Sequence, residues 1–291
     1  MSLVITGASG PLGRRTAELL LDTDGVDPAR VVLVTRSVDA LADLAARGAT
    51  VRRGDFDDPS TLGAAFAGAE RILIVSTDAV GARVAQQQAA IDAAKGAGAS
   101  LIAYTSVLNP VEANPAGIVP DHRATEEALK ASGVSYTFLR NALYSEYRVP
   151  EAQAAIASGV FHHNQGDGAS AYVSREDCAA AAAAVLAGGD EHANKVYDIT
   201  GPELLGGADL ARVYGETGGT AVEAVAVDDD AFTAGLLAAG IPAAAAPLLV
   251  SLGRAIREGR LDQLSGDVEA LTGRPPRPVA EVLAGAPASA A

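Results

Sequence analysis

A glycine-rich turn near the start of the chain carries the clearest chemical signal in the sequence. The turn follows a short β-branched run that ends at Thr6, and it precedes a stretch with the apolar spacing of a helix. Glycines permit close approach of the backbone to a pyrophosphate, and the start of the next helix presents free N–H groups to the phosphates. A glycine turn without a ligand is the alternative, and the strand–turn–helix context favours the site. The predicted dinucleotide-binding residues here are Thr6, Gly7, Ser9, Gly10, Pro11, Leu12 and Gly13.

An arginine stands where the ribose of such a cofactor would be recognised. Arg36 directly follows the second β-branched run, about 20 residues past the turn, where an NAD-dependent enzyme carries an acidic residue. A guanidinium binds a phosphate through two N–H groups, so the sequence predicts NADP(H). Arg14 and Arg15 lie in the first turn of the first helix, where a bound phosphate would offset their charge. Solvated surface arginines are the alternative for these two.

These groups need a sheet to position them, and β-branched runs alternate with helical stretches through the first half of the chain. Runs 31–34 (VVLV) and 72–75 (ILIV) are apolar at every position, which is typical of parallel strands buried on both faces. The predicted strands are 3–6, 30–35, 50–52, 71–75, 101–105 and 135–139, and the predicted helices are 12–21, 38–46, 59–66, 82–97 and 122–131. The alternation predicts an α/β fold with a Rossmann-type, doubly wound parallel sheet.

Polar residues follow several of these strands, at the edge of the sheet where ligands of this fold bind. Any one of them could instead cap the next helix. Those that we predict to contact the cofactor are Asp55 and Phe56 beside the adenine, and Ser76, Thr77, Thr105 and Ser106 further along the edge.

The regular alternation of strand and helix patterns ends at residue 141, and helical stretches dominate after it. The predicted helices are 151–157, 176–186, 208–214 and 228–239, and the predicted strands are 196–199 and 222–225. We expect a dinucleotide-binding domain over 1–145, to which later elements return, a smaller and mostly helical substrate lobe over 146–286, and a disordered tail over 287–291. The segments 166–168 (GDG) and 174–177 (SRED) also stand out, without an evident role.

Composition narrows the classes of partner. The chain has 291 residues, a formal net charge of −14 and a pI of about 4.6, and it shows none of the basic stripes of nucleic-acid binders. An anionic ligand must therefore be held by a local cation against an unfavourable overall field. A single cysteine and the lack of a long apolar run predict a cytoplasmic protein without a membrane span. The oligomeric state is open, with a homodimer as one arrangement.

A longer series of motifs points to a family. TGASGPLG, LVTR, GDFDD, AYTS, HRATE, LRNALYSEY and SREDCAAAAA occur in this order. The series resembles the NmrA-like atypical short-chain dehydrogenases/reductases, and within them the type 2 NADPH-dependent quinone oxidoreductases and the triphenylmethane reductases. The resemblance implies that the glycine turn and Arg36 hold NADPH. It also implies that Asn141 and Tyr144 lie by the nicotinamide and the acceptor.

The chain departs from ordinary short-chain reductases at one important place. Those enzymes use a Tyr-x-x-x-Lys motif with the tyrosine as general acid, whereas this chain has His122 and Glu126 at those positions. A ketone reductase must protonate a developing alkoxide, but reduction of a quinone gives a delocalised anion that solvent can protonate. The sequence therefore predicts an NADPH-dependent reductase of quinone-like planar acceptors that needs neither flavin nor metal.

Several alternatives stay open at this stage. His122, Asn141 and Tyr144 are the candidate catalytic residues, although His122 could be structural and Tyr144 could be part of the core. His162 and His163 have no matching ligands, so we predict no metal site. The alternatives to a quinone reductase are a non-catalytic NADP(H)-sensing regulator and a reductase of a specialised metabolite.

Overall fold

The fold centres on one parallel sheet. The computed structural model describes residues 2–23 and 25–286, and within these residues seven strands join in the order β3-β2-β1-β4-β5-β6-β8. Their bounds are β1 Ser2–Ile5, β2 Val31–Thr35, β3 Thr50–Arg53, β4 Ala69–Ile74, β5 Leu101–Val107, β6 Ser135–Asn141 and β8 Lys195–Ile199. Every pairing in this sheet is parallel. The strand order reverses between β1 and β4, which confirms the predicted doubly wound α/β fold.

Helices cover both faces of this sheet. Those of the first half are α1 Pro11–Asp22, α2 Ala42–Ala46, α3 Leu62–Ala65, α4 Arg83–Gly96 and α5 Val119–Ser132. Those that follow are α6 Arg148–Ser158, α7 Arg175–Gly188, α8 Gly207–Gly218, α9 Asp229–Ala238, α10 Ala246–Arg257, α11 Asp267–Thr272 and α12 Val279–Ala284.

Alternate strand residues face two separate apolar cores. Leu3, Ile5 and Leu33 pack with residues of α1 and α7 on one side of the sheet. Val4 and Ile72 pack with residues of α3, α4 and α5 on the other. Both faces are therefore withdrawn from water, which is why the runs in β2 and β4 are apolar at successive positions.

Some predicted bounds shift for local reasons. The predicted helices 38–46 and 59–66 each begin as a 3₁₀ turn, over Val38–Leu41 and Pro59–Thr61, before α2 and α3. Helix α5 begins at Val119 rather than at the predicted residue 122, because Pro120 fits the first helical turn.

The second lobe differs more from its prediction. We use this name for α6, α8, α9, α10 and α12 together with two parallel strands that pair with each other, β7 Val160–His163 and β9 Glu223–Ala226. Strand β7 was not predicted, because a four-residue VFHH run carries little apolar signal. Helices α10 to α12 were not predicted either, and the predicted strand 222–225 is displaced by one residue in β9.

Later elements do return to the main sheet. Helix α7 packs on α1, and α11 packs on α7 and β8. The boundary between 145 and 146 stays a prediction, and the predicted disordered tail, 287–291, lies outside the described residues. Within the part of the chain that the structure covers, none of the helices is both long and apolar enough to cross a lipid bilayer.

Candidate functional site

The glycine turn joins β1 to α1 at the reversal of strand order. Gly7 has a φ of +60°, a left-handed conformation that glycine adopts without strain. A Cβ on Gly13 would lie 2.5 Å from the carbonyl oxygen of Gly7, so only glycine lets the helix approach the turn this closely. Pro11, Leu12 and Gly13 occupy the first helical turn. Pro11 has no backbone N–H, and those of Leu12 and Gly13 have no partner within the helix. This cradle fits a pyrophosphate at the helix start.

Hydroxyl groups hold the turn against its neighbours. Thr6 Oγ1 donates to the carbonyl of Leu73 (3.1 Å) and accepts from the N–H of Val75 (3.0 Å), which ties β1 to β4. Thr35 Oγ1 donates to Ser9 Oγ (2.8 Å), which ties β2 to the turn. The internal bonds of Thr6 give it a positioning role at this edge.

Two arginines lie at the carboxyl edge of β2 and β3. Arg36 is exposed and makes no hydrogen bond or ion pair with any of residues 2–23 and 25–286. Arg53 is paired in register with Thr35, is also exposed, and likewise has no such partner within these residues. Sequence reasoning missed Arg53, although its place at the end of a predicted strand was a usable signal. Together they offer guanidinium donors at the predicted position of a 2′-phosphate.

Carboxylates already offset the charges of Arg14 and Arg15, so these charges give no separate reason to expect a phosphate there. Arg14 pairs with Asp43 and with Glu18 (3.0 Å). Arg15 Nε donates to Glu176 Oε2 at 2.6 Å, which joins α1 to α7. That hydrogen bond holds the pKa of Glu176 below its usual range.

The other predicted polar residues lie at the same edge of the sheet as the glycine turn, and several of them already form hydrogen bonds within the protein. Ser76 N–H donates to Thr105 Oγ1 (2.8 Å), and this hydroxyl donates to Ser76 Oγ (3.2 Å). Thr77 Oγ1 donates to a glutamine of α4 at 2.7 Å. Asp55 Oδ1 accepts a backbone N–H within its own turn at 3.0 Å, and Phe56 packs on the core next to α3.

Glu126 ties the ends of β5 and β6 together. Its side chain is 3% exposed, and its carboxylate accepts from Ser106 Oγ (2.8 Å), from Arg140 Nε (2.9 Å) and from Arg140 Nη2 (2.7 Å). The position that holds lysine in ordinary short-chain reductases therefore carries an anchored carboxylate. It fixes the strand ends from which Thr105 and Asn141 project.

His122 is buried between α5 and the sheet. It is 5% exposed, and its Nδ1 lies 2.8 Å from the hydroxyl of Tyr104. Burial, with a smaller contribution from the nearby Arg83 charge, lowers its pKa to about 3. The imidazole is thus neutral near pH 7 and bonded internally, which favours the structural alternative over proton donation.

Arg83 is a further residue that sequence reasoning missed. It is 5% exposed, its Nε donates to the carbonyl of Thr77 (2.7 Å), and it has no ion-pair partner in the described part of the chain. No periodic or motif signal distinguished it from the other arginines. Its charge lies beside His122 and Tyr104, where it opposes protonation of the imidazole.

Asn141 and Tyr144 come together at the end of β6. Asn141 is 4% exposed, and its Nδ2 donates to the Tyr144 hydroxyl at 3.2 Å. Its Oδ1 is buried and has no hydrogen-bond partner among residues 2–23 and 25–286, which leaves an acceptor for a ligand donor. Tyr144 is half-buried, and burial raises the pKa of its phenol.

Comparison with known proteins places this site in a family. A family model described as NAD(P)H-binding matches residues 7–188. A curated relative, quinone oxidoreductase 2 of Escherichia coli, is 37% identical over 96% of both chains. A crystal structure of an NADPH-dependent quinone oxidoreductase from Escherichia coli complexed with NADPH has a TM-score of 0.92 and 36% identity, and covers 97% of this chain and 98% of its own.

A second solved structure belongs to a dye reductase. The triphenylmethane reductase of Citrobacter sp. complexed with NADP(H) has a TM-score of 0.89 and 32% identity, and covers 97% of this chain and 99% of its own. The predicted family, the predicted NADP(H) cofactor and the prediction of an NADPH-dependent oxidoreductase are confirmed. The chain belongs to the NAD(P)H-binding family, among the atypical short-chain reductases.

Proposed function

We propose that this protein transfers a hydride from NADPH to quinones or similar planar electrophilic acceptors, without flavin or metal. One observation carries the proposal: the positions of the usual Tyr-x-x-x-Lys pair hold a buried neutral imidazole and an ion-paired carboxylate, His122 and Glu126. Neither group suits protonation of an alkoxide, whereas a quinone needs no side-chain acid because its reduced anion is delocalised. Similarity to a quinone oxidoreductase and to a triphenylmethane reductase supports the same class of acceptor.

NADPH would lie along the carboxyl edge of the parallel sheet, from its phosphates at one end to its nicotinamide at the other. The glycine turn and the free N–H groups of α1 would hold the pyrophosphate, and Arg36 and Arg53 would hold the 2′-phosphate. Asp55 and Phe56 would flank the adenine. Asn141 and Tyr144 would lie by the nicotinamide, where the unpaired Asn141 Oδ1 can accept a hydrogen bond.

The chemistry then depends on position more than on side-chain acidity. When bound, the reduced nicotinamide supplies one hydride, that is two electrons and one proton, to the acceptor. Asn141 and Tyr144 orient the nicotinamide and the acceptor ring against each other. Glu126 fixes the end of β6 that carries these two residues. Solvent supplies the remaining proton to a quinone oxygen.

Steady-state NADPH oxidation tests the proposal. The purified protein is assayed with a panel of benzoquinones and naphthoquinones and one triphenylmethane dye, with NADH in parallel. We expect turnover with NADPH and little with NADH. Tight NADPH binding without turnover of any acceptor would contradict the proposal in favour of a dinucleotide sensor. Reduction of a non-planar electrophile added to the panel, with none of the other acceptors reduced, would point to a specialised-metabolite reductase.

Arg36 gives a sharper test of cofactor selection. We expect Arg36→Asp to narrow the preference for NADPH over NADH by about tenfold or more, because a charge-assisted phosphate contact is replaced by repulsion. Dissociation constants for both cofactors measure the change, and Arg212→Asp on the distant helix α8 is the matched control. Unchanged affinity for both cofactors in the Arg36 variant would show that the 2′-phosphate lies elsewhere.

The cytoplasmic location and the homodimer stay predictions. Subcellular fractionation and the mass of the purified protein in solution test them.

A further inference from the structure

The SRED segment that had no role in the sequence forms the start of α7. Ser174 caps this helix by accepting the N–H of Asp177 at 3.0 Å. The N–H of Arg175 donates to Glu146 Oε1 at 2.9 Å, which joins α7 to the turn after β6. The backbone of Arg175 is thereby fixed to the segment that carries Tyr144 and Tyr147.

The guanidinium of Arg175 lies over two aromatic rings. Its Cζ is 5.2 Å from the centroid of the Tyr144 ring and 4.9 Å from that of the Tyr147 ring. This side chain makes no hydrogen bond or ion pair with residues 2–23 and 25–286, so its N–H donors are not used by these residues. The two rings hold the guanidinium in place without using its N–H groups, which stay available to bind an anion.

The surroundings place this cation beside the proposed acceptor position. Tyr144 is bonded to Asn141 at the end of β6, and Tyr147 is 58% exposed. One oxygen of the neighbouring Glu146 carboxylate accepts the backbone N–H of Arg175, and neither oxygen pairs with the guanidinium. Because the chain carries a net charge of −14, an anionic ligand needs a local cation of this kind.

We propose that Arg175 binds an anionic substituent, a sulfonate or a carboxylate, on the planar acceptor, and so makes this reductase selective for anionic acceptors. The inference rests on the proposed function, since it assigns the acceptor to the Tyr144 side of the nicotinamide. Tyr144 and Tyr147 act as the platform that holds the guanidinium. A phosphate of the cofactor is the other source of the same chemistry, and the test separates the two.

The test measures binding first, so that it does not depend on turnover. Anthraquinone-2-sulfonate and its neutral counterpart, 2-(hydroxymethyl)anthraquinone, are titrated calorimetrically into the protein with NADP⁺ present. NADP⁺ affinity is measured separately. The variants are Arg175→Gln, the charge-retaining Arg175→Lys, and Arg212→Gln, an exposed arginine on α8 whose loss changes net charge equally.

We expect Arg175→Gln to lower the preference for the sulfonate over the neutral quinone by about tenfold, from loss of a charge-assisted contact. Arg175→Lys should lower it less, and Arg212→Gln should not change it. Weaker NADP⁺ binding with an unchanged preference would overturn the proposal by assigning Arg175 to the cofactor, and an unchanged preference with unchanged NADP⁺ affinity would overturn it as well. If the wild type discriminates the sulfonate through Arg175 yet reduces no quinone, the proposed function fails while the anion site stands.

Discussion

In the cofactor half, residues 2–23 and 25–145, strands β2 and β5 are buried at every position, and internal hydrogen bonds join the strand ends. The second lobe contains two four-residue strands, and exposed or half-exposed ion pairs join its parts. Asp229, for example, links Asn164 after β7 with Arg254 and Arg257 of α10. The comparison indicates that burial protects the contacts of the cofactor half, whereas solvent weakens the ion pairs of the second lobe.

The largest loss of stability is expected when the buried carboxylate of Glu126 in the cofactor half is removed. Glu126→Ala leaves the Arg140 guanidinium without its partner, and we expect the free energy of unfolding to fall by about 3 kcal/mol, the lower end for a buried pair because Arg140 is 25% exposed. Urea unfolding measures this change. Glu216→Ala removes the exposed partner of Arg212 and should cost under about 0.5 kcal/mol. Equal losses in the two variants would contradict the comparison.

The glycine turn should be nearly as sensitive. Gly13→Ala places a Cβ 2.5 Å from the Gly7 carbonyl oxygen, and we expect a loss of about 2 kcal/mol in stability. We also expect NADPH affinity to fall about tenfold or more, because the turn must move away from the helix start. Gly63→Ala, whose Cβ meets nothing within 4 Å, is the matched control in the same half. A Gly13 variant that binds NADPH normally would mean that the turn tolerates the shift.

Acid should weaken the cofactor half through His122. Its pKa of about 3 lies below the ordinary value near 6.5, so between these values the unfolded chain binds a proton that the folded chain does not. Stability therefore falls as pH drops from about 6.5 towards 3, by up to about 1.4 kcal/mol per pH unit from this residue. His122→Gln should flatten the slope measured by urea unfolding, and the exposed His162→Gln should not. A slope unchanged by His122→Gln would show that the imidazole titrates normally.

The smallest effect is expected in the second lobe. Hydrogen bonds, first that from Arg257, lower the pKa of Asp229, so its stabilisation is present above the unfolded value near 3.9 and is lost as pH falls. We expect Asp229→Asn to cost about 1 kcal/mol at pH 7 and less below about pH 4, measured by thermal unfolding. Asp230→Asn, next to it and exposed, is the control. A loss as large as that of Glu126→Ala would remove the contrast between the two regions.

The parts of the fold that could be predicted are those specified by short, local sequence patterns. The run at Val31–Thr35 and the glycine turn fix a strand, a turn and a helix within a few residues, so the sheet and the phosphate cradle could be predicted. Strand β7 could not, because it is four residues long and is stabilised by a partner strand, β9, far along the chain. Contacts of the same kind place Arg53 opposite Thr35 in the sheet register.

Roles within the site were less predictable than its location. From the sequence, His122 could be either a proton donor or a structural residue. Only its burial against Tyr104 favours the structural role. The SRED segment stood out without a role, since Arg175 meets Tyr144 and Tyr147 only after α7 has packed on the sheet. Whether each predicted residue contacts the cofactor stays a prediction.

Direct hydride transfer is the central claim, and isotope transfer tests it most directly. A sulfonated triphenylmethane dye is reduced anaerobically with NADPH that carries deuterium at one or the other C4 position, and the reduced dye is analysed by mass spectrometry. The central carbon of the product does not exchange with water, so it records the source of the hydrogen. We predict one deuterium in the product from one of the two labelled cofactors and none from the other. No reduced dye, or solvent hydrogen in the product with both labels, would contradict direct transfer at this site.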